Sequence, residues 1–211
     1  MPADRVANPG RAHLADRRRA ELLAAARRVV LERGMASTRV ADIAKATNVS
    51  GGLIHYHFET KSELMAEMLR TTSDGERRQL DEIVAGSGAA VDRLDKVLRQ
   101  YIPRTRTDQS WILWIESWAA GLREPALREI LAELGTAWIG AIEQVIRDGV
   151  ASGEFTCDDP AGAAERLDAL LDGLIVRCTL HPETVSRKRL LEHVRVAAAR
   201  EVGLDRGAFP G

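Results

Sequence analysis

Five histidines and two cysteines are the residues of this chain best suited to proton transfer, metal binding or nucleophilic attack, and their spacing supports none of these. His13, His55, His57, His181 and His193 include no pair at metal-ligand spacing on the later helical segments, and His55 and His57 fall on different faces of one helix. Cys157 and Cys178 allow neither a disulfide framework nor a four-thiolate zinc site, and both read as small buried thiols. Neither a G-x-S-x-G elbow nor a phosphate-cradling glycine loop is present. We therefore expect no enzyme, no metal and no cofactor. What remains is the chemistry of charge and hydrogen bonding, and it is unevenly placed. Residues 1–61 hold 11 Lys and Arg against 6 Asp and Glu, while the rest of the 211-residue chain holds 19 against 25. A basic head on an acidic body offers a polyanion the head alone.

Within that head, Val40 to His57 reads VADIAKATNVSGGLIHYH. Two short helices that cross steeply need small or apolar residues where they face each other, and Ile43, Ala44, Val49 and Ile54 supply them. The turn between them needs a residue that tolerates positive φ, and Asn48 is the best choice after glycine. Ser50 is a good cap for the second helix, whose outer face is then free to enter a major groove. A second concentration of chemistry lies in WILWIESW. Trp111, Trp114 and Trp118 are spaced i, i+3, i+7 and share one helical face with Ile115 and Leu122.

From Leu22 through Leu69 the chain resembles the TetR family of regulators, through the string IAKATNVSGGLIHYHFETKSEL. That family caps its recognition helix with a serine, ends it in an aromatic cluster, and follows with a phenylalanine and a lysine; here these are Ser50, His55-Tyr56-His57, Phe58 and Lys61. Asn48 in place of the common glycine is physically tolerable, whereas His55 in place of the usual tyrosine alters the contact that ring can make. The resemblance implies a DNA-binding surface of Arg17, Thr38, Arg39, Ser50, Gly51, Gly52, Leu53, His55, Tyr56, His57 and Lys61. Lys61, in the first turn of its helix, joins a phosphate site that the helix N-terminus already favours. His57 and Thr38 donate to phosphates, and Arg17, Arg18 and Arg19 reach phosphates or an adjacent minor groove. These contacts position without reading sequence. Base reading falls to Arg39, Gly51, Gly52, Leu53, His55 and Tyr56, with Leu53 suited to thymine methyls and the glycines to close backbone approach. The arginine triplet reads equally as a solvated helix end, and Phe58 and Ile54 as core.

The elements that must position these residues are all helical. A polar tail over 1–12 precedes a helix from Asp16 to Arg33, closed by Gly34. A short helix capped by Thr38 runs to Ala46, another runs from Ser50 to His57, and Thr60-Lys61-Ser62-Glu63 spells a capping box that opens a long helix towards Val84. Five further helices are expected, over about 89–102, 109–122, 125–152, 160–180 and 186–203. The fold class is all-α: an N-terminal three-helix helix-turn-helix domain (13–60), a connecting helix (61–84), a C-terminal helical ligand-binding and dimerisation domain (85–203) and a terminal tail (204–211). No apolar run is long enough to cross a bilayer and the arginine-rich start lacks a signal peptide's apolar core, so a cytoplasmic protein is expected.

In the body, Leu167, Leu170, Leu171 and Leu174 stripe one helix and Leu190, Leu191, Val194 and Ala198 the last. Each stripe can serve its own monomer's core. The resemblance instead implies a four-helix dimer interface that includes Leu167, Leu171, Leu174, Leu191, Val194 and Ala198, with the twofold that a palindromic DNA operator requires. The stretch LWIESWAAGLREPALR and the closing helices resemble the effector domain of the BetI-type subgroup. An effector site of Tyr101, Trp111, Trp114, Ile115, Trp118, Trp138 and Cys178 is then expected, the alternative being a solid aromatic core. Glu116 falls about 140° around the helix from Trp111, off that face. Asp168 and Asp172, if they point inward, would make the site aromatic and acidic and suit a cation. Together these features imply a homodimeric, ligand-responsive repressor released from its operator by a small molecule. An activator would use the same parts.

Overall fold

The computed structural model describes residues 9–103 and 108–210, with the side chains of 9–12 left aside. Among the described residues there are nine helices and no strand. They are α1 (Pro9–Arg33), α2 (Val40–Thr47), α3 (Gly51–His57), α4 (Lys61–Val84), α5 (Ala90–Tyr101), α6 (Ser110–Gly121), α7 (Pro125–Ser152), α8 (Pro160–Leu180) and α9 (Arg187–Glu201). The chain divides into two compact units, Met1–Thr72 with Glu116–Ile130, and Ser73–Ile115 with Leu131–Gly211. The division falls inside α4 and α6 rather than at the glycine-rich turn after Val84, and it assigns the end of α6 and the start of α7 to the first unit. Of the tail expected over 1–12, residues 9–12 belong to α1, and 1–8 lie outside the described residues.

In the first unit α1 packs on α2, and α2 on α3. Leu22, Ala26, Val29 and Val30 recur on one face of α1 and are buried, together with Met35, Ile43, Ile54, Phe58, Leu64, Met65, Met68 and Leu69. Two left-handed residues set the turns. Gly34 (φ 81°) ends α1, and Asn48 (φ 53°) ends α2, where its N–H and that of Val49 donate to carbonyls of the last turn. Thr38 does not cap α2. Arg39 stands at the N-cap, its backbone N–H donating to Asp42 Oδ2 at 2.9 Å, and the Thr38 hydroxyl turns back to donate to Gly34 O at 2.8 Å.

The second unit is organised around α5. Leu94, Val97, Leu98 and Tyr101 are buried along one face. Ala89 offers no capping side chain, and the carboxylate of Glu154 accepts from Ala90 N at 2.8 Å instead. Asp95 is 3% exposed and takes Arg195 from α9 (2.8 and 3.0 Å) and Arg99 from its own helix (2.7 Å). Such a buried pair contributes little net stability, yet removing one partner strands the other charge. Arg93 ties Asp148 of α7 (2.6 Å) to the carbonyl end of α4. Around α8, positions one apart turn by about 100° and sort into four stripes. Leu167 and Leu171 are buried, Asp168 and Asp172 half-buried, Ala169 and Gly173 exposed, and Leu170 and Leu174 half-buried. Residues 204–210 follow α9, and Phe209 among them is buried.

Candidate DNA-reading head and aromatic-acidic site

The exposed surface of α3 is set by its cap. Ser50 Oγ accepts from Leu53 N at 3.2 Å, and Ile54 is the residue that α3 buries. With Ile54 inward, Gly52, His55 and Tyr56 face solvent, Tyr56 at 79% exposure, and Gly51, Leu53 and His57 are half-exposed. A Cβ at Gly51 would meet nothing within 4 Å, and one at Gly52 only Ser50 Oγ at 3.8 Å. Neither has positive φ. Packing therefore does not require glycine at either position, although each weakens a seven-residue helix by about 1 kcal/mol relative to alanine. Arg39 is exposed beside this surface.

Two residues expected at phosphates, Thr38 and Arg19, are placed otherwise, and Lys61 is partly engaged. Thr38 is 1% exposed with its hydroxyl on Gly34 O, so no phosphate can reach it. Arg19 is a structural post: its guanidinium donates to Glu67 Oε1 at 2.6 Å and to the His57 carbonyl, and lies 4.3 Å over the Phe58 ring. The Glu67 hydrogen bond raises its pKa further, so it is permanently charged. Lys61 Nζ donates to Met35 O at 3.1 Å, which leaves two of its three hydrogens. At the start of α4, Thr60 Oγ1 accepts from Glu63 N and Glu63 Oε2 from Glu59 N, so part of that N-terminus is already capped. Arg17 is exposed and pairs with Glu21 at 3.3 Å.

Glu116 carries a contact that its sequence position did not signal. Its Oε2 accepts from Met35 N at 2.9 Å, so the turn after α1 is held on one side by Lys61 of α4 and on the other by α6. A Cβ at Gly34 would come within 3.2 Å of the same carboxylate.

The second site lies wholly in the other unit. Tyr101 is 8% exposed, and its ring stands 4.8 Å from Trp138, edge to face, and 5.4 Å from Trp111. The Trp111 indole donates to Tyr101 O at 3.1 Å. The Tyr101 hydroxyl sits between two carboxylates of α8, 2.9 Å from Asp168 Oδ1 and 2.7 Å from Asp172 Oδ1. Burial raises the pKa of both aspartates against the lowering effect of the Tyr101 hydrogen bond, and Asp172, which also feels Asp168, is pushed up to about 6. Of the residues expected here, Trp114 and Ile115 are half-buried in the same unit, whereas Trp118 belongs to the other. Cys178 is half-buried but turned about 120° around α8 from Asp172.

Four of the six expected interface residues are corrected. Leu167, Leu171, Val194 and Ala198 are at most 1% exposed within one chain, so they have no surface to offer a second copy. α8 and α9 pack on each other inside the monomer. Leu174 and Leu191 keep partial exposure.

Residues 22–68 match the model of bacterial regulatory proteins of the tetR family, and residues 90–203 match that of the C-terminal domain of BetI-type transcriptional repressors. The chain belongs to the TetR family of bacterial transcriptional regulators. It is thus a regulator of transcription, with a helix-turn-helix head and a helical body of the BetI type. The transcriptional repressor KstR2 of Rhodococcus jostii is 30% identical over 138 residues, which are 63% of this chain and 67% of that one. The regulator BetI of Rhizobium meliloti is 27% identical over 169 residues, 80% of this chain and 81% of its own. A transcriptional regulator from Saccharomonospora viridis, solved in complex with choline, superposes with a TM-score of 0.79 at 25% identity, covering 89% of this TetR-family chain and 98% of that one. Among the described residues, no helix is long and apolar enough to cross a membrane.

Proposed function

We propose that this chain is a homodimeric repressor that lays α3 in the major groove of a palindromic operator and is released by a small cationic effector bound at Tyr101, Trp111, Trp138, Asp168 and Asp172. The observation that carries the DNA half is the glycine pair of α3, which costs helix stability without relieving any contact inside the protein. The absence of a side chain there benefits a partner whose backbone must come close. Leu53, His55, Tyr56 and Arg39 border that approach as base-reading residues. Lys61, His57, Ser50 and Arg17 flank it as phosphate contacts. Thr38 is left out.

A cation suits the body site because two carboxylates and two indoles surround one phenol, and an indole face attracts a desolvated ammonium by about 2 kcal/mol. The choline held by the Saccharomonospora viridis relative supports the same ligand class. For the dimer, the stripes left on α8 are the small Ala169 and Gly173 beside Leu170 and Leu174, with Leu191 on α9; small residues let two helices approach closely. The twofold that results matches the operator's symmetry.

The test is operator binding followed by fluorescence anisotropy with choline as titrant. We expect affinity near 10⁻⁸ M, which is typical of specific readers, and loss of the complex as choline quenches tryptophan fluorescence over the same concentration range. Lys61→Ala should weaken specific and nonspecific duplexes alike, whereas Leu53→Ala and Tyr56→Ala should weaken the specific one more. Equal losses in all three variants overturn the reading face. Leu174→Glu should give a folded monomer by light scattering.

A further inference from the structure

We propose that the effector's positive charge enters the Asp168–Tyr101–Asp172 cluster in exchange for a proton, so that operator release becomes weaker as the medium turns acidic. This rests on the cationic-effector reading above and adds its regulation by pH. A phenol carries one hydrogen, and the Tyr101 oxygen is within hydrogen-bond distance of both carboxyls, at 2.9 and 2.7 Å. Its hydroxyl donates to one of them. The other contact is a hydrogen bond only when that carboxyl is protonated and donates to the phenol oxygen. With both carboxyls ionised, lone pairs would face each other in a half-buried site. Tyr101 is not the proton source, because burial and the two carboxyls all raise its pKa.

The surroundings do not supply the missing charge. Asp168 and Asp172, four residues apart on α8, stand on one helix face with Cβ atoms about 6 Å apart. On α5, Asp95 and Arg99 are paired with each other, and Arg195 of α9 closes on the same Asp95. On α8 itself, Arg166 is engaged by Glu201 and Asp159. From α6 and α7 the cluster receives Trp111 and Trp138, neither of which titrates. Arg104 and Arg106 lie outside the described residues. Among the described residues, the groups that act on the two carboxyls are Tyr101 and the carboxyls themselves. A bound monocation therefore replaces what the proton provides: the second carboxyl ionises, its proton leaves to solvent, and the net charge of the site is unchanged.

Asp172 sits at about 6, well above an ordinary carboxyl, so above that pH the proton is already gone and cation affinity is flat. Below it, binding must expel the proton, and affinity falls by up to tenfold for each unit of pH. Choline should bind about tenfold more weakly at pH 5 than at pH 7.

The experiment is calorimetric titration of the full chain with choline in buffers of different ionisation enthalpy, at pH 5.5 and 7.5. It is paired with ¹³C-carboxyl NMR of aspartate-labelled protein without ligand. We expect more than half a proton released per choline at the lower pH and close to none at the higher. We also expect one aspartate midpoint near 6 that falls in Asp168→Asn, with burial keeping it above the ordinary range. Choline uptake with identical heats in all buffers at pH 5.5 overturns the exchange and leaves the cationic reading standing. A wild-type protein in which every aspartate titrates below about pH 5 also overturns the exchange. No choline uptake at millimolar concentration at pH 7.5 overturns the cationic reading and the exchange together.

Discussion

The head and the body solve opposite problems with polar groups. On α3 the functional side chains are open: Tyr56 is 79% exposed, His55 faces solvent, and two glycines leave bare backbone that touches nothing. In the body, Tyr101 is 8% exposed and its hydroxyl is already held by two carboxyls. A surface built for a macromolecule can stay unsatisfied because water solvates it until the partner arrives. The Tyr101 cluster satisfies its polar groups internally, so the proposed ligand would enter by exchange. The head's exposed side chains should therefore contribute little to fold stability, and the body's buried ones much.

The largest expected effect tests that contrast directly. Trp111→Ala removes a buried indole and its hydrogen bond to Tyr101 O, and should cost about 3–5 kcal/mol of stability. Tyr56→Ala should shift stability by less than about 0.5 kcal/mol while weakening operator binding at least tenfold. Thermal melts and anisotropy titrations on both variants are sufficient, and comparable losses of stability would erase the distinction.

A smaller effect distinguishes charge from packing within the body. The raised Asp172 carboxyl binds its proton more tightly in the folded chain than in the unfolded one. Its stabilising contribution is full below about pH 4 and is lost as pH rises through about 6. The shift corresponds to at most about 3 kcal/mol, reduced to about 1–2 kcal/mol by solvent screening of a half-buried side chain. Asp172→Asn should flatten the stability profile between pH 4 and 7 and melt above wild type at pH 8, while losing choline affinity. A variant that keeps the wild-type slope would place the titrating group elsewhere.

The smallest effect has the opposite sign. Gly51→Ala and Gly52→Ala should each raise stability by about 0.5–1 kcal/mol, since neither Cβ meets an obstacle and both positions have negative φ. Each should lower operator affinity. Chemical denaturation beside anisotropy measures both, and an alanine variant that binds DNA as well as wild type would remove the close-approach argument.

Sequence alone determined what depends on neighbours within a turn or two. The Ser50 cap and the left-handed turns at Asn48 and Gly34 depend on residues a few positions apart, so residue type and spacing suffice to read them, as helical periodicity does for the buried Ile43 and Ile54. The composition of the aromatic and acidic site was legible as well, since Trp111, Asp168 and Asp172 were visible as types on helix faces. Tertiary structure decided which faces meet. Arg19 with Glu67, Glu116 with Met35, and Tyr101 with Asp168 join residues 48, 81 and 67 positions apart. A leucine stripe looks the same whether it meets its own chain or a copy, which is why Leu167, Leu171, Val194 and Ala198 were misplaced. Thr38 shows the same limit on a smaller scale: a hydroxyl near a helix start suits a phosphate or a cap equally, and only the fold turned it inward to Gly34. Helical periodicity says that a side chain has a neighbour on its face; the packing of distant segments says which one.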